Sequence, residues 1–138
     1  MRSAPIVVDA WAALALLRGE GNAAVAMRRY LRRAHGGRGR LVMSLVNLAE
    51  VFYRMIQVSS EERAEETLAV FRRLPIDMLP VREPVAQEAA RLKAAHPLSL
   101  ADAFAVATAR LEGGRILTGD KEIVALPRAV VSVIALER

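Results

Sequence analysis

"IVVDAWAALALLRG", residues 6–19, decides between two architectures. Behind a Met-Arg start, its apolar run has the superficial look of a signal segment. Asp9 interrupts it, and the run falls far short of the ~20 apolar residues that a membrane-spanning helix needs. Ile6, Val7 and Val8 are β-branched and suit a strand, whereas the alanines and leucines from Ala10 to Leu17 suit a helix. The stretch reads as a short buried strand that passes through Asp9 into a helix stopped by Gly19 and Gly21. A strand feeding a helix is the opening of a βα unit.

The pattern continues outward from there. Asn22 is placed to cap a second helix to about Ala34, and "HGGRGR" (35–40) is a loop. "LVM" (41–43) reads as a strand, and Ser44 caps a helix to about Gln57. Ser59 with Glu62 forms a capping box for a helix to about Leu74, where Pro75 breaks it. "IDMLPV" (76–81) reads as a strand whose Pro80 marks an edge or an end. Pro84 opens a helix to about Ala95, and Ser99 caps another that Gly113 and Gly114 terminate. "RILTGD" (115–120) is a strand and turn, "KEIVAL" (121–126) a helical turn, and "VVSVIAL" (130–136) the last strand. Strands thus alternate with helices or helix pairs. The expected class is α/β, a single domain over residues 1–138, with a mostly parallel sheet of about five strands flanked by helices on both faces. In such sheets ligands bind beyond the C-terminal ends of the strands, near the topological switch point.

Composition narrows the chemistry. The chain of 138 residues is 54% hydrophobic, carries a net charge of +5 and contains no cysteine. Disulfides, thiolate metal sites and thiol nucleophiles are excluded, and a cytoplasmic location is expected. The basic balance points to a polyanionic partner, although an Arg-rich soluble protein would show the same charge.

The acids carry the functional argument. Asp9 closes the first strand, and Asp120 follows "ILTG" at the end of a later one. Asp102 sits in "LSLADAFAVATAR" (98–110), where its helical neighbours Ala105, Val106 and Ala109 are apolar. Glu50 lies in "SLVNLAEVFYRM" (44–55) on the same face as Asn47. Taken singly, each has a structural explanation. Asp9 and Asp102 read as helix caps, Asp120 as a turn residue, and Asn47 with Glu50 as a solvated pair. Taken together, acids beside hydrophobic elements read as one shared pocket. Clustered, desolvated carboxylates are strained, and a divalent cation relieves them. Carboxylates without Cys or paired His suit Mg²⁺ or Mn²⁺, ions that orient phosphate and activate water for in-line displacement. His35 and His96 lie in expected loops and are not spaced as a ligand pair, so zinc is discarded.

"IVVDAWAALALL", "MSLVNLAEVFYRM", "LSLADAFAVATARL" and "ILTGDKEI" together resemble the PIN-domain ribonucleases of the VapC toxin type, in order and approximate spacing. The resemblance spans the whole chain. It implies a metal-dependent endoribonuclease whose acidic quartet is Asp9, Glu50, Asp102 and Asp120. Within that set Asp9 and Asp120, with Asp102 beside them, read as direct ligands of Mg²⁺ or Mn²⁺, and Glu50 as a direct or water-mediated one. Asn47 and Thr118 match polar neighbours of the quartet, and Glu122 an auxiliary acid. Further implications are an RNA substrate, a homodimer, a VapB-like antitoxin that blocks the site, operator DNA contacted only through that antitoxin, and no membrane.

One position departs from the family. Two residues after the first acid, where the family usually has Ser or Thr, stands Trp11. It reads as packing in a core or subunit interface, with stacking on an RNA base as the other reading. Arg28, Arg29, Arg32, Arg33, Arg38 and Arg40 form a basic patch. The patch reads as a solvated face, an RNA phosphate surface or a dock for an acidic antitoxin segment. A non-catalytic PIN-like module binding RNA or protein is the alternative function, supported only by Trp11. Phosphotransfer domains fit worse. The haloacid-dehalogenase kind needs an acid where Trp11 stands, and the receiver kind an acidic pair that is missing.

Overall fold

Continuous apolar runs along short strands dictate a sheet covered on both faces. In the computed structural model, which describes residues 4–137, β1 (Ile6–Val8), β2 (Leu41–Ser44), β3 (Ile76–Leu79), β4 (Arg115–Thr118) and β5 (Val133–Ala135) form one sheet in the order β3-β2-β1-β4-β5. All four pairings are parallel, with Val7 opposite Val42 and Ile116 in the central register. Val7, Val42 and Ile116 point to one face, and Val8, Met43 and Leu117 to the other. Each set is fully buried, as parallel strands covered on both sides require.

The helices divide accordingly. α1 (Ala10–Arg18), α2 (Gly21–His35), α3 (Leu45–Val58) and α4 (Glu61–Phe71) pack on the face of Val8 and Met43. α5 (Glu83–Ala95), α6 (Leu100–Leu111) and the single turn α7 (Lys121–Val124) cover the face of Val7 and Val42. The chain builds outward from β1 through β2 to β3, then returns to place β4 on β1's other side. The switch point therefore falls between β1 and β4, whose C-terminal ends carry Asp9 and Asp120. α6, rich in alanine, lies close over the sheet with Ala103, Ala105, Val106, Ala107 and Ala109 fully buried.

Most element boundaries agree with the sequence reading, and the exceptions have local causes. The serine pair divides its labour. The Ser59 hydroxyl donates to the Met55 carbonyl (2.8 Å) and closes α3, so Ser60, not Ser59, accepts the Arg63 N–H (3.2 Å) and caps α4. α4 ends at Phe71 rather than Leu74. Its tail tightens into i→i+3 bonds, Arg73 to Val70 and Leu74 to Phe71, ahead of Pro75. α2 starts at Gly21, before Asn22, with Glu20 at the cap position. Gly19 takes the left-handed φ of +72° that ends α1. Of "VVSVIAL" only Val133–Ala135 is strand. The Val130 and Val131 N–H groups instead donate to the Pro127 carbonyl in a turn. β3 is an edge strand, which accounts for Pro80 just beyond its end. Among the described residues, no helix is long and apolar enough to cross a membrane.

Candidate active site

The C-terminal edge of the sheet gathers the acids because strand ends and helix starts meet there. Asp9 leaves β1 and enters α1. It is 1% exposed. One carboxylate oxygen accepts the Ala12 N–H at 2.9 Å and caps α1, and the other accepts the Thr118 hydroxyl. The Thr118 oxygen in turn accepts the Asp120 N–H at 3.0 Å. This chain of bonds ties the ends of β1 and β4 across the switch point. Burial pushes the Asp9 carboxyl up to about 7, against the lowering effect of its two hydrogen bonds, and the charges of Asp102 and Asp120 push the same way.

The capping question at Asp102 has a clear answer. Ser99 caps α6 by accepting the Asp102 N–H at 3.1 Å, so the cap is the serine side chain. The half-buried Asp102 carboxyl is pushed up to about 6, first by burial and then by Asp120, with Glu50 and Glu122 adding. Asp120 caps α7, one of its oxygens accepting the N–H groups of Glu122 (3.0 Å) and Ile123 (3.1 Å). One oxygen each from Asp102, Asp120 and Glu122 lies within 4.8 Å of the other two. Glu122, expected as an auxiliary acid, is thus inside the tightest group. Asp9 lies outside that trio, although its charge interacts with Asp102 and Asp120. Glu50 also lies outside it and interacts with Asp102.

Asn47 and Glu50 come from α3 on the neighbouring strand's crossover. Asn47 is fully buried, which corrects the solvated-pair reading for this residue. Its side-chain amide donates to the Ala101 carbonyl at 3.1 Å and fixes the start of α6. One Glu50 oxygen accepts from Arg54 at 3.0 Å. The remaining oxygens, Asn47 Oδ1 and Glu50 Oε1, are buried and have no hydrogen-bond partner among the described residues. Buried acceptors without donors beside clustered, proton-hungry carboxylates match the needs of a divalent cation with oxygen ligands. His35 ends α2 and His96 follows α5, and neither belongs to the acid group.

The basic patch does not join the acids. α2 runs down to the opposite edge of the sheet, and the loop after it leads into the start of β2. Arg33, Arg38 and Arg40 line a cavity there of about 160 Å³ together with Arg115. Arg40 pairs with Asp77 at 3.2 Å. Arg28, Arg29 and Arg32 are exposed along the helix above. What sequence reasoning missed is the contact between Trp11 and Gly119. The indole lies directly on this glycine, and a Cβ there would come within 3.0 Å of three ring carbons. The only sequence signal was a glycine between Thr118 and Asp120.

The pattern of the PIN domain family matches residues 6–129, and the chain belongs to that family. No curated protein sequence matches it. Solved structures with a similar fold include DNA-bound VapBC from Salmonella typhimurium, at 14% identity and TM-score 0.77, covering 96% of this chain and 98% of that one. VapBC2 from Rickettsia felis bound to a promoter DNA fragment matches at 11% identity and TM-score 0.73, with the same coverage of 96% and 98%. VapC20 from Mycobacterium tuberculosis, a toxin that cleaves the sarcin-ricin loop, matches at 18% and 0.67, covering 87% and 93%.

Proposed function

We propose that this PIN-domain protein is a VapC-type toxin: an endoribonuclease that depends on Mg²⁺ or Mn²⁺ and is neutralised by a VapB-like antitoxin. The observation that carries the reading is the meeting of Asp102, Asp120 and Glu122 within 4.8 Å beside the buried Asp9. The fold shared with chains of VapBC complexes supports the toxin class and the antitoxin partner. A homodimer, a cytoplasmic location and contact with operator DNA through the antitoxin belong to the same reading.

Asp102, Asp120 and Glu122 would hold the cation, with Asp9 and Glu50 at its margin. A bound divalent ion supplies charge neutralisation, orientation of a phosphodiester and acidification of water. The chain's own residues do the rest. Thr118 holds one Asp9 oxygen in place while accepting the Asp120 N–H, and the Glu122 and Ile123 N–H groups direct the Asp120 carboxylate. Asn47 anchors the first turn of α6 and thereby the position of Asp102. Arg54 holds one oxygen of Glu50, leaving the buried Oε1 to accept a proton from water or to face the cation.

The test is cleavage of structured RNA with Mn²⁺ or Mg²⁺, abolished by EDTA and by Asp102→Asn in protein purified identically. Metal-independent cleavage, or full activity in Asp102→Asn, overturns it. RNA binding with no cleavage under any metal favours the non-catalytic module.

A further inference from the structure

Trp11, Ala15 and Arg18 lie at i, i+4 and i+7 along one face of α1, and with Glu20 and Ala23 they line a cleft of about 320 Å³. That volume falls at the lower end of ligand pockets, ~300–1,000 Å³. The indole is half-buried, so the expectation that it sits in a core is only partly met. It rests on the Gly119 backbone, between Thr118 and Asp120, and so ties the cleft to the strand end that carries Asp120. Such backing holds an aromatic plane at low entropic cost. Gly119 has no left-handed φ to demand glycine, so the contact with Trp11 is the reason a side chain is excluded there. Ala15 and Ala23 are the smallest side chains that could line the remaining space. Arg18 and Glu20 place a cation and an acceptor at its outer rim.

We infer that this cleft is a nucleobase subsite, in which Trp11 stacks on an unpaired base of single-stranded RNA beside the scissile phosphate and Arg18 meets a neighbouring phosphate. The inference rests on the reading of the acid cluster as an RNA-cleaving site and adds what the substrate presents to it. A rigid aromatic wall is the device by which proteins hold single-stranded bases, and it tolerates many sequences because every base has a π-face. A cation about 10 Å further along the helix, from seven residues at ~1.5 Å each, suits the backbone that follows the base. Glu20 supplies an acceptor at the rim, the complement of a base's amino or imino N–H.

Trp11 is the chain's single tryptophan, so its emission reports the cleft alone. The wild-type protein in EDTA, where metal-dependent cleavage is off, is titrated with a short unstructured oligoribonucleotide. Saturable quenching of the emission is expected, with little change for an RNA duplex of equal length. An end-labelled oligonucleotide followed by anisotropy should bind Trp11→Ala 5- to 150-fold more weakly, the range for loss of one stacked base at ~1–3 kcal/mol. Trp11→Phe, which keeps an aromatic ring, should fall between. Arg18→Gln should lower the slope of log affinity against log salt by about 0.7. Unchanged emission when anisotropy shows the protein saturated overturns the inference, as does wild-type affinity in both Trp11 variants; that second result returns the cleft to a protein partner. The measurement in EDTA separates the two proposals. Quenching without metal-dependent cleavage leaves the base subsite standing and removes the nuclease, whereas cleavage without quenching does the opposite.

Discussion

Asp9→Asn should stabilise the metal-free protein at pH 8, although it removes a residue that caps a helix. The Asp9 carboxyl is pushed from 3.8 in the unfolded chain to about 7 in the fold. Between these values the folded state keeps a proton that the unfolded state has lost. Stability is therefore fully present below about pH 4, falls as pH rises through the window, and levels off above about pH 7. The rise from 3.8 to about 7, at ~1.4 kcal/mol per tenfold change in proton affinity, gives a loss of about 4 kcal/mol. Asn is as good a cap as Asp for the Ala12 N–H. It leaves the Thr118 hydroxyl hydrogen without its acceptor, because an amide N–H₂ replaces the oxygen it donates to, at a cost of about 1 kcal/mol. The net expectation at pH 8 is a gain of about 3 kcal/mol, shrinking to a small deficit near pH 4. Urea unfolding in EDTA at half-unit steps from pH 4 to 8 reads both effects. Equal slopes for the two proteins, or a less stable Asp9→Asn at pH 8, would refute the argument that desolvation outweighs the hydrogen bonds.

Other expectations follow from neighbouring contacts. In EDTA, Asp102→Asn should be more stable than wild type at pH 8 by about 1 kcal/mol, discounted for its half exposure; saturating Mn²⁺ at 100 times Kd should stabilise wild type by about 2.7 kcal/mol and the variant much less, as read by thermal unfolding. Gly119→Ala should push the indole off its seat and shift the tryptophan emission to longer wavelength, with Trp11→Ala removing the conflict in the double variant; an unchanged spectrum would contradict the close packing. Arg32→Ala with Arg33→Ala should leave cleavage at the acid cluster within about threefold, since these residues lie toward the opposite edge of the sheet; a larger loss of kcat would place RNA across both edges.

The βα rhythm was legible because each strand is a short, mostly apolar run and each helix opens on a serine, an acid or a proline. Where boundaries moved, two adjacent residues competed for one task. Ser59 and Ser60 could each have capped α4, and only the bond from Ser59 back to Met55 decides between them. Val130 and Val131 have strand-like side chains, but the turn at Pro127 claims their backbone. In the site, Asp9, Asp102 and Asp120 were visible as acids beside hydrocarbon. The burial of Asn47 and the seat of Trp11 on Gly119 were not, because both depend on residues more than fifty positions apart meeting across the sheet. The place of the arginine patch relative to the acids was hidden for the complementary reason. Clustering in sequence put its charges together, while the direction of α2 carried them away from the acids.

The same geometry explains why a fold would tolerate so much negative charge at one edge. α1 and α7 begin with Asp9 and Asp120 as their caps, and α6 begins with Ser99 one turn from Asp102. The positive N-terminal end of a helix stabilises a nearby carboxylate by about 0.3–1 kcal/mol. The helix starts therefore offset part of the repulsion among the acids. They do not offset the burial of Asp9, whose carboxyl stands at about 7, far above its ordinary value, despite the hydrogen bonds from Thr118 and Ala12. Hydrogen bonds and dipoles direct these oxygens without satisfying them. The shortfall is one of charge, and a divalent cation is the smallest group that removes it for all the acids at once.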